Sequence, residues 1–268
     1  MVSSSDLHDE KFSLDPFTPW AELRRTKPVF FDTVDNVWLI SRHSDVISVF
    51  TDSKRFSNRL YRKTLGAVFG PTLLQLDGKP HIDHRKIIAP VFAHTRLDRY
   101  RSLLESTIDS VLDELDPSGF DLVQEVTNVL PGKIIIRMMG LPPEDDMKFQ
   151  EWYESMMLGL WNNPALREKG HRAHRALHTH IDPIIEQRKI KPSDDILTRL
   201  IQANVTDLPS FISLLLTAGG DTTDKAIGNL WLNLLENPDQ MSAVTNDSSL
   251  IDRAFDETMR HSPSLVYQ

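Results

Sequence analysis

The chain of 268 residues has no cysteine. Disulfides, thiolate nucleophiles and cysteine-ligated metals are therefore excluded for the residues it carries. No stretch reaches the ~18 apolar residues that a membrane-spanning helix needs. The start, MVSSSDLHDEKF, has no apolar segment behind a basic flank, so it does not read as a secretory leader. Both absences point to a soluble, cytoplasmic protein. Positive charge is in short supply as well: the formal net charge is −8, which argues against nucleic-acid binding driven by phosphate neutralisation. What is present is a 40% hydrophobic composition, ordinary for a globular chain with a real core.

Strand signals are scarce. PVFFDTVDNVWLIS alternates apolar and polar residues around a Val34-Asp35-Asn36 turn, which predicts a β-hairpin from Val29 to Ser41. After it the period changes. HSDVISVFTD reads as a short helix, and from His94 to Asp116 apolar residues recur at Leu97, Tyr100, Leu104, Ile108, Val111 and Leu115, the spacing of an amphipathic helix. Further helical patterns cover about 122–139, 143–161, 165–190, 194–204, 208–236, 239–245 and 249–261, separated by GLPPED, NNP and KPSDD. No internal repeat and no low-complexity linker interrupts them. The expectation is one mainly α domain over residues 1–268, built on a long central helix with a small N-terminal β-hairpin.

That central helix contains LLLTAGGDTT, Leu214 to Thr223. Each glycine inside a helix costs about 1 kcal/mol relative to alanine, so the adjacent pair calls for a reason. A structural account ends one helix at the glycines and caps the next with Asp221 and Asp224. A chemical account uses the missing side chains of Gly219 and Gly220 to admit a flat, bulky ligand, with Asp221 and Thr222 as an acid and hydroxyl pair able to relay protons. In GKPHIDHRKIIAPVF, His81 and Arg85 stand at i and i+4 on one helical face, and both can donate hydrogen bonds to an anion. In DETMRHSP, Glu257 and Arg260 at i and i+3 can pair on a helix that stops before Pro263. Each pair, taken alone, also fits ordinary helix-surface decoration.

In this order and at these separations, the segments resemble the cytochrome P-450 superfamily of haem-thiolate monooxygenases, in its soluble bacterial form. DVISVFTDSKRFSN, HIDHR, FAHTRL, LPGKIIIRMMGLPPED, TAGGDTT and ETMR carry the resemblance, which spans about Phe17 to Gln268. It implies that His81 and Arg85 hold a haem propionate and that Ala218 and Gly219 lie against the distal face of the porphyrin. It implies that Asp221 and Thr222 deliver protons to dioxygen as its O–O bond breaks. Glu257 and Arg260 would form a buried structural pair beneath the haem. Electrons would come from a ferredoxin-type redox partner, drawn to a basic stretch between Lys79 and Arg101 whose six Lys or Arg face two acids, Asp83 and Asp98. The substrate would be a small organic molecule, met by the mixed basic and apolar segment RLYRKTLGAVFGPTLLQ.

One part of the pattern is missing. The family's glycine-rich loop after the Glu-x-x-Arg helix supplies the cysteine thiolate that ligates the iron, and this sequence reaches Gln268 without such a loop. The expectation is a cytochrome P-450 chain incomplete at the thiolate loop and inactive alone. A non-catalytic small-molecule-binding remnant and half of a split enzyme, completed in trans, stand beside it. GHRAHRALHTH offers His171, His174, His178 and His180, three of them on one helical face. Interleaved with Arg172 and Arg175, they are expected to be a solvated face rather than a metal site.

Overall fold

The computed structural model describes residues 2–93, 100–161 and 163–265. Contacts divide the chain into two compact units, Met1–Ser57 and Asn58–Gln268.

In the first unit a single 3-10 turn (Ser5–His8), α1 (Glu10–Leu14) and α2 (Phe17–Thr26) precede strands β1 (Val29–Asp32) and β2 (Val37–Ile40), and α3 (His43–Thr51) follows. The strands pair antiparallel, Val29 opposite Ile40 and Asp32 opposite Val37, as the alternation predicts. Asn36 closes the turn at φ 57°, a left-handed conformation that asparagine tolerates. Leu7, Trp20 and Leu23 form the buried centre of this unit, with Phe12, Phe30 and Leu39 packed against it.

The second unit is helical throughout: α4 (Leu65–Phe69), α5 (Gly78–Ile88), α6 (Arg101–Leu112), a π-helical turn (Leu122–Thr127), α7 (Leu130–Met138), α8 (Asp146–Leu158), α9 (Pro164–Ile190), α10 (Ile196–Gln202), α11 (Leu208–Glu236), α12 (Pro238–Asn246) and α13 (Ile251–His261). The long central helix α11 has the bounds its periodicity predicts. The pattern expected as one helix over 122–139 is two elements. Asp121 caps the first by accepting from the Val123 and Gln124 amides, both at 2.9 Å, and Pro131, which has no amide to donate, stands in the first turn of the second. Residues 94–99, including Leu97, Arg96, Asp98, Arg99 and most of FAHTRL, lie outside the described residues. The helix expected to begin there is observed from Arg101.

Leu177, Ile181, Leu197, Leu200 and Ile212 have no solvent exposure and join α9, α10 and α11 into one core. A polar tie supports it. Arg188 donates from Nε to Asp195 at 2.8 Å and from a terminal nitrogen to the Gly140 carbonyl at 2.9 Å. Asp195 in turn caps α10 through the Thr198 amide at 2.7 Å.

Candidate functional site

Helix α11 runs through Gly219 and Gly220 without a break, so the glycines end no helix and Asp221 caps nothing. The structural account of the pair as a helix break is overturned. Its physical replacement lies in what each glycine faces. A Cβ on Gly220 would meet the Tyr153 ring of α8 at 3.2 Å, tighter than ordinary contact, whereas one on Gly219 would meet Ile135 of α7 at 3.4–3.6 Å, ordinary contact. Successive residues of a helix turn by 100°, which puts Ala218 nearly opposite Gly220. Ala218 is exposed although the residues before it, from Ser210 to Thr217, are buried or half-buried. The hydroxyl of Thr222, on the same face, donates back to the Ala218 carbonyl at 3.1 Å.

Asp221 stands at the edge of that face, its carboxylate paired with the Lys225 ammonium one turn on. Asp221 and Thr222 are neighbours along the helix without a hydrogen bond between their side chains, since each is engaged elsewhere. Asp224, which sequence reasoning treated as a cap, accepts from the Thr127 hydroxyl at 2.6 Å and fixes the π-helical turn to α11. Tyr153 is pushed well above the ordinary phenol range, first by burial and then by the nearby charges of Asp221 and Asp224. The ring therefore stays neutral on the buried side of the site.

His81 and Arg85 lie on α5, His81 half-buried and Arg85 exposed. Neither has a hydrogen bond or ion pair to another described residue. Between them, His84 packs its ring on Phe211 of α11, centroids 6.4 Å apart, so α5 flanks the first turns of the central helix. Burial depresses the His84 pKa, against the pull of Asp207. Lys79, within the basic stretch, pairs with Asp83.

Two expectations need correction. Glu257 and Arg260 do pair, at 2.7 Å and 2.6 Å, but both side chains are more than half exposed. Only Thr258 of α13 is buried, and no described element covers the face that carries the pair. The histidines of α9 are not a solvated face either. His171 bonds the Ala67 carbonyl, His174 meets the Ser213 hydroxyl at 3.1 Å, and His180 bonds Asp145 at 2.8 Å. The His174 and His178 rings lie 3.9 Å apart. Burial, reinforced by His178, His171 and Arg175, holds His174 down at about 4.

No protein-family model matches the chain. Curated relatives do. Cytochrome P450 107B1 of Saccharopolyspora erythraea is 30% identical over 277 residues, which cover 94% of this chain and 67% of that protein. Vitamin D(3) 25-hydroxylase of Pseudonocardia autotrophica is 29% identical over 95% of this chain and 66% of its own length. Among solved structures, ligand-free cytochrome P450 TbtJ1 superposes with a TM-score of 0.84 at 28% identity, over 94% of this chain and 67% of its own. CalO2 superposes with a TM-score of 0.86 over 98% of this chain and 70% of its own. The chain belongs to the cytochrome P450 family, has its mainly helical fold, and spans about two thirds of the length of these relatives. Haem is the cofactor of that family. Among the described residues no helix is long and apolar enough to cross a membrane.

Proposed function

We propose that this chain carries the oxygen-side and substrate-side portion of a haem monooxygenase that hydroxylates a small organic molecule with electrons from a ferredoxin-type redox partner. The observation that carries the reading is the open face of α11. There Ala218 is exposed mid-helix, the Thr222 hydroxyl stands beside it, and Asp221 borders it. The donor set fits haem on this side. A methyl and a hydrogen at Ala218 and Gly219 leave room for a flat ring, and Arg85 and His81 offer unengaged donors for its propionates. A cysteine thiolate to hold the iron is not among these 268 residues. A bound haem supplies the redox chemistry of dioxygen activation.

The residues of this chain have definite tasks in that reading. Thr222 holds its hydroxyl proton towards the open face once it leaves the Ala218 carbonyl, a rotation about one side-chain bond. Asp221 sits a quarter exposed and exchanges protons with solvent, so it reloads the hydroxyl from the water side. Lys225 keeps that carboxylate aimed along the helix. On the uncovered face of α11 and α13, Trp231, Leu232, Leu235, Ile251 and Phe255 are all exposed. An apolar surface of this kind favours a further segment packing there, in the same polypeptide or another.

The test joins this chain, in cis or in trans, to a cysteine-bearing C-terminal third from a bacterial relative. The reduced, carbon monoxide-treated protein should show the long-wavelength Soret band of a thiolate-ligated haem, and the chain alone should not. Thr222→Ala should then keep haem content and substrate affinity while lowering product formed per electron, the remainder appearing as peroxide. Asp221→Asn should chiefly slow turnover. A joined protein that folds but takes up no haem, or unchanged coupling in Thr222→Ala, would defeat the assignment.

A further inference from the structure

The first unit brings together three side chains that the monooxygenase reading does not use. His8 ends the 3-10 turn Ser5–His8, Asp32 ends β1, and Asp35 lies in the hairpin turn. His8 Nε2 is 2.8 Å from Asp32 Oδ2 and 3.9 Å from Asp35 Oδ2. The three donor atoms all lie within 4.8 Å of one another. Ligand atoms bound to one zinc-class ion at about 2.1 Å sit roughly 3.0–3.4 Å from each other. His8 and Asp32 are therefore close to that spacing already, and Asp35 needs only a side-chain rotation. Asp35 is free to make it, at 53% exposure.

Charge points the same way. A protonated His8 leaves one of two neighbouring carboxylates uncompensated, and its Nε2 proton can serve only Asp32. A divalent cation neutralises both carboxylates and accepts the lone pair of a neutral imidazole. Asp32 is prepared for that task. It is 2% exposed, and its carboxylate accepts from the Val34 amide at 3.1 Å and the Asp35 amide at 3.4 Å. These bonds orient the group as outer-shell partners orient a metal ligand. Although burial works against it, the bonds from His8, the turn amides and Ser4 keep this carboxyl below its ordinary range.

We propose that His8, Asp32 and Asp35 form a binding site for a divalent transition cation of the zinc class, which replaces the His8–Asp32 hydrogen bond and clamps the N-terminal turn to the hairpin tip. One nitrogen and two carboxylate oxygens suit Zn²⁺, Co²⁺ or Ni²⁺ better than Ca²⁺ or Mg²⁺, which favour all-oxygen shells. The ligand nitrogen must be unprotonated for the ion to bind.

The experiment titrates the metal-free full chain with Co²⁺, followed by its visible ligand-field bands and by competition with Zn²⁺. One equivalent should bind, and His8→Ala and Asp35→Asn should each weaken it at least about tenfold. Asp35→Asn is the decisive variant, because its side chain is exposed and pairs with no described residue other than His8, so the fold should be kept. His174→Gln, in the other histidine cluster, should leave the titration unchanged. Absence of Co²⁺ binding at micromolar concentrations, equal binding in Asp35→Asn, or loss of binding in His174→Gln instead would each overturn the site.

Discussion

Acidification from pH 7.5 to pH 5 should loosen the packing between α9 and α11, with His174 as the main sensor. In the folded chain this imidazole is held at about 4, against an ordinary value of 6.5, first by burial and then by His178, His171 and Arg175 beside it. The unfolded chain therefore binds a proton at a pH where the folded one does not. Stability from this group is fully present above pH 6.5 and is lost as the pH falls towards 4. At pH 5 the linkage relation for those two values gives a loss of about 2 kcal/mol. His178 and His84, both lowered by burial, add losses of the same sign. Carboxylates held low, such as Asp32 and Asp145, act only below their ordinary 3.8, while Asp146, raised by burial, works in the opposite sense to the histidines. Denaturant unfolding followed by tryptophan fluorescence at both pH values measures the effect. His174→Gln keeps an amide within reach of Ser213 but does not titrate, and it should flatten the pH slope by the same ~2 kcal/mol. Identical slopes in the two proteins, or a His174 ring that titrates above pH 6 by NMR, would refute the reasoning.

Other substitutions separate roles that the sequence runs together. Gly220→Ala places a methyl 3.2 Å from the Tyr153 ring and should destabilise by about 1–3 kcal/mol through overpacking. Gly219→Ala meets only ordinary contact with Ile135 and should be neutral or stabilising by up to about 1 kcal/mol; thermal melts of the two variants decide it. Arg188→Ala strands the buried Asp195 and the Gly140 carbonyl and should cost about 3–5 kcal/mol in denaturant unfolding. Glu257→Gln breaks an exposed pair and should leave the melting temperature of this chain unchanged.

The legible parts of the molecule were those set by local periodicity. The hairpin register follows from alternation about Val34-Asp35-Asn36, and α11 keeps its predicted bounds although three glycines and three β-branched threonines lie inside it. Burial along its first half, from Ser210 to Leu214, outweighs the weak propensity of those residues. Contacts between distant segments were not legible. Nothing in DMKFQEWYESMML marks Tyr153 as the ring that requires Gly220 to be small, and nothing in HIDHR ranks His84 above His81 as the imidazole that reaches α11. The α9 histidines were misjudged for a related reason. Arginines interleave with them in the sequence, but on the helix Arg172 and Arg175 point outward while His171, His174 and His178 turn inward. The Glu257–Arg260 pair has the geometry expected from its spacing, but both side chains are more than half exposed, because spacing along one helix does not decide what packs on it.

The two glycines therefore serve different neighbours. Together they cost the helix about 2 kcal/mol of propensity, and no cap or turn offsets it. On the buried side, Gly220 lets the Tyr153 ring lie directly on the helix, and four residues later Asp224 accepts from Thr127 at 2.6 Å. Between those two contacts the backbone of residues 220–224 is held from one side. Asp221 and Thr222 fall inside that interval and project away from it. On the open side Ala218 offers a single methyl, and among the described residues the Thr222 hydroxyl has only the Ala218 carbonyl to bond. A helix pinned on one flank and stripped of bulk on the other fixes where a proton donor stands while leaving space in front of it. Alanine at 220 alone would disturb the pins without narrowing the space, whereas alanine at 219 would meet Ile135 in ordinary contact and leave the pins untouched.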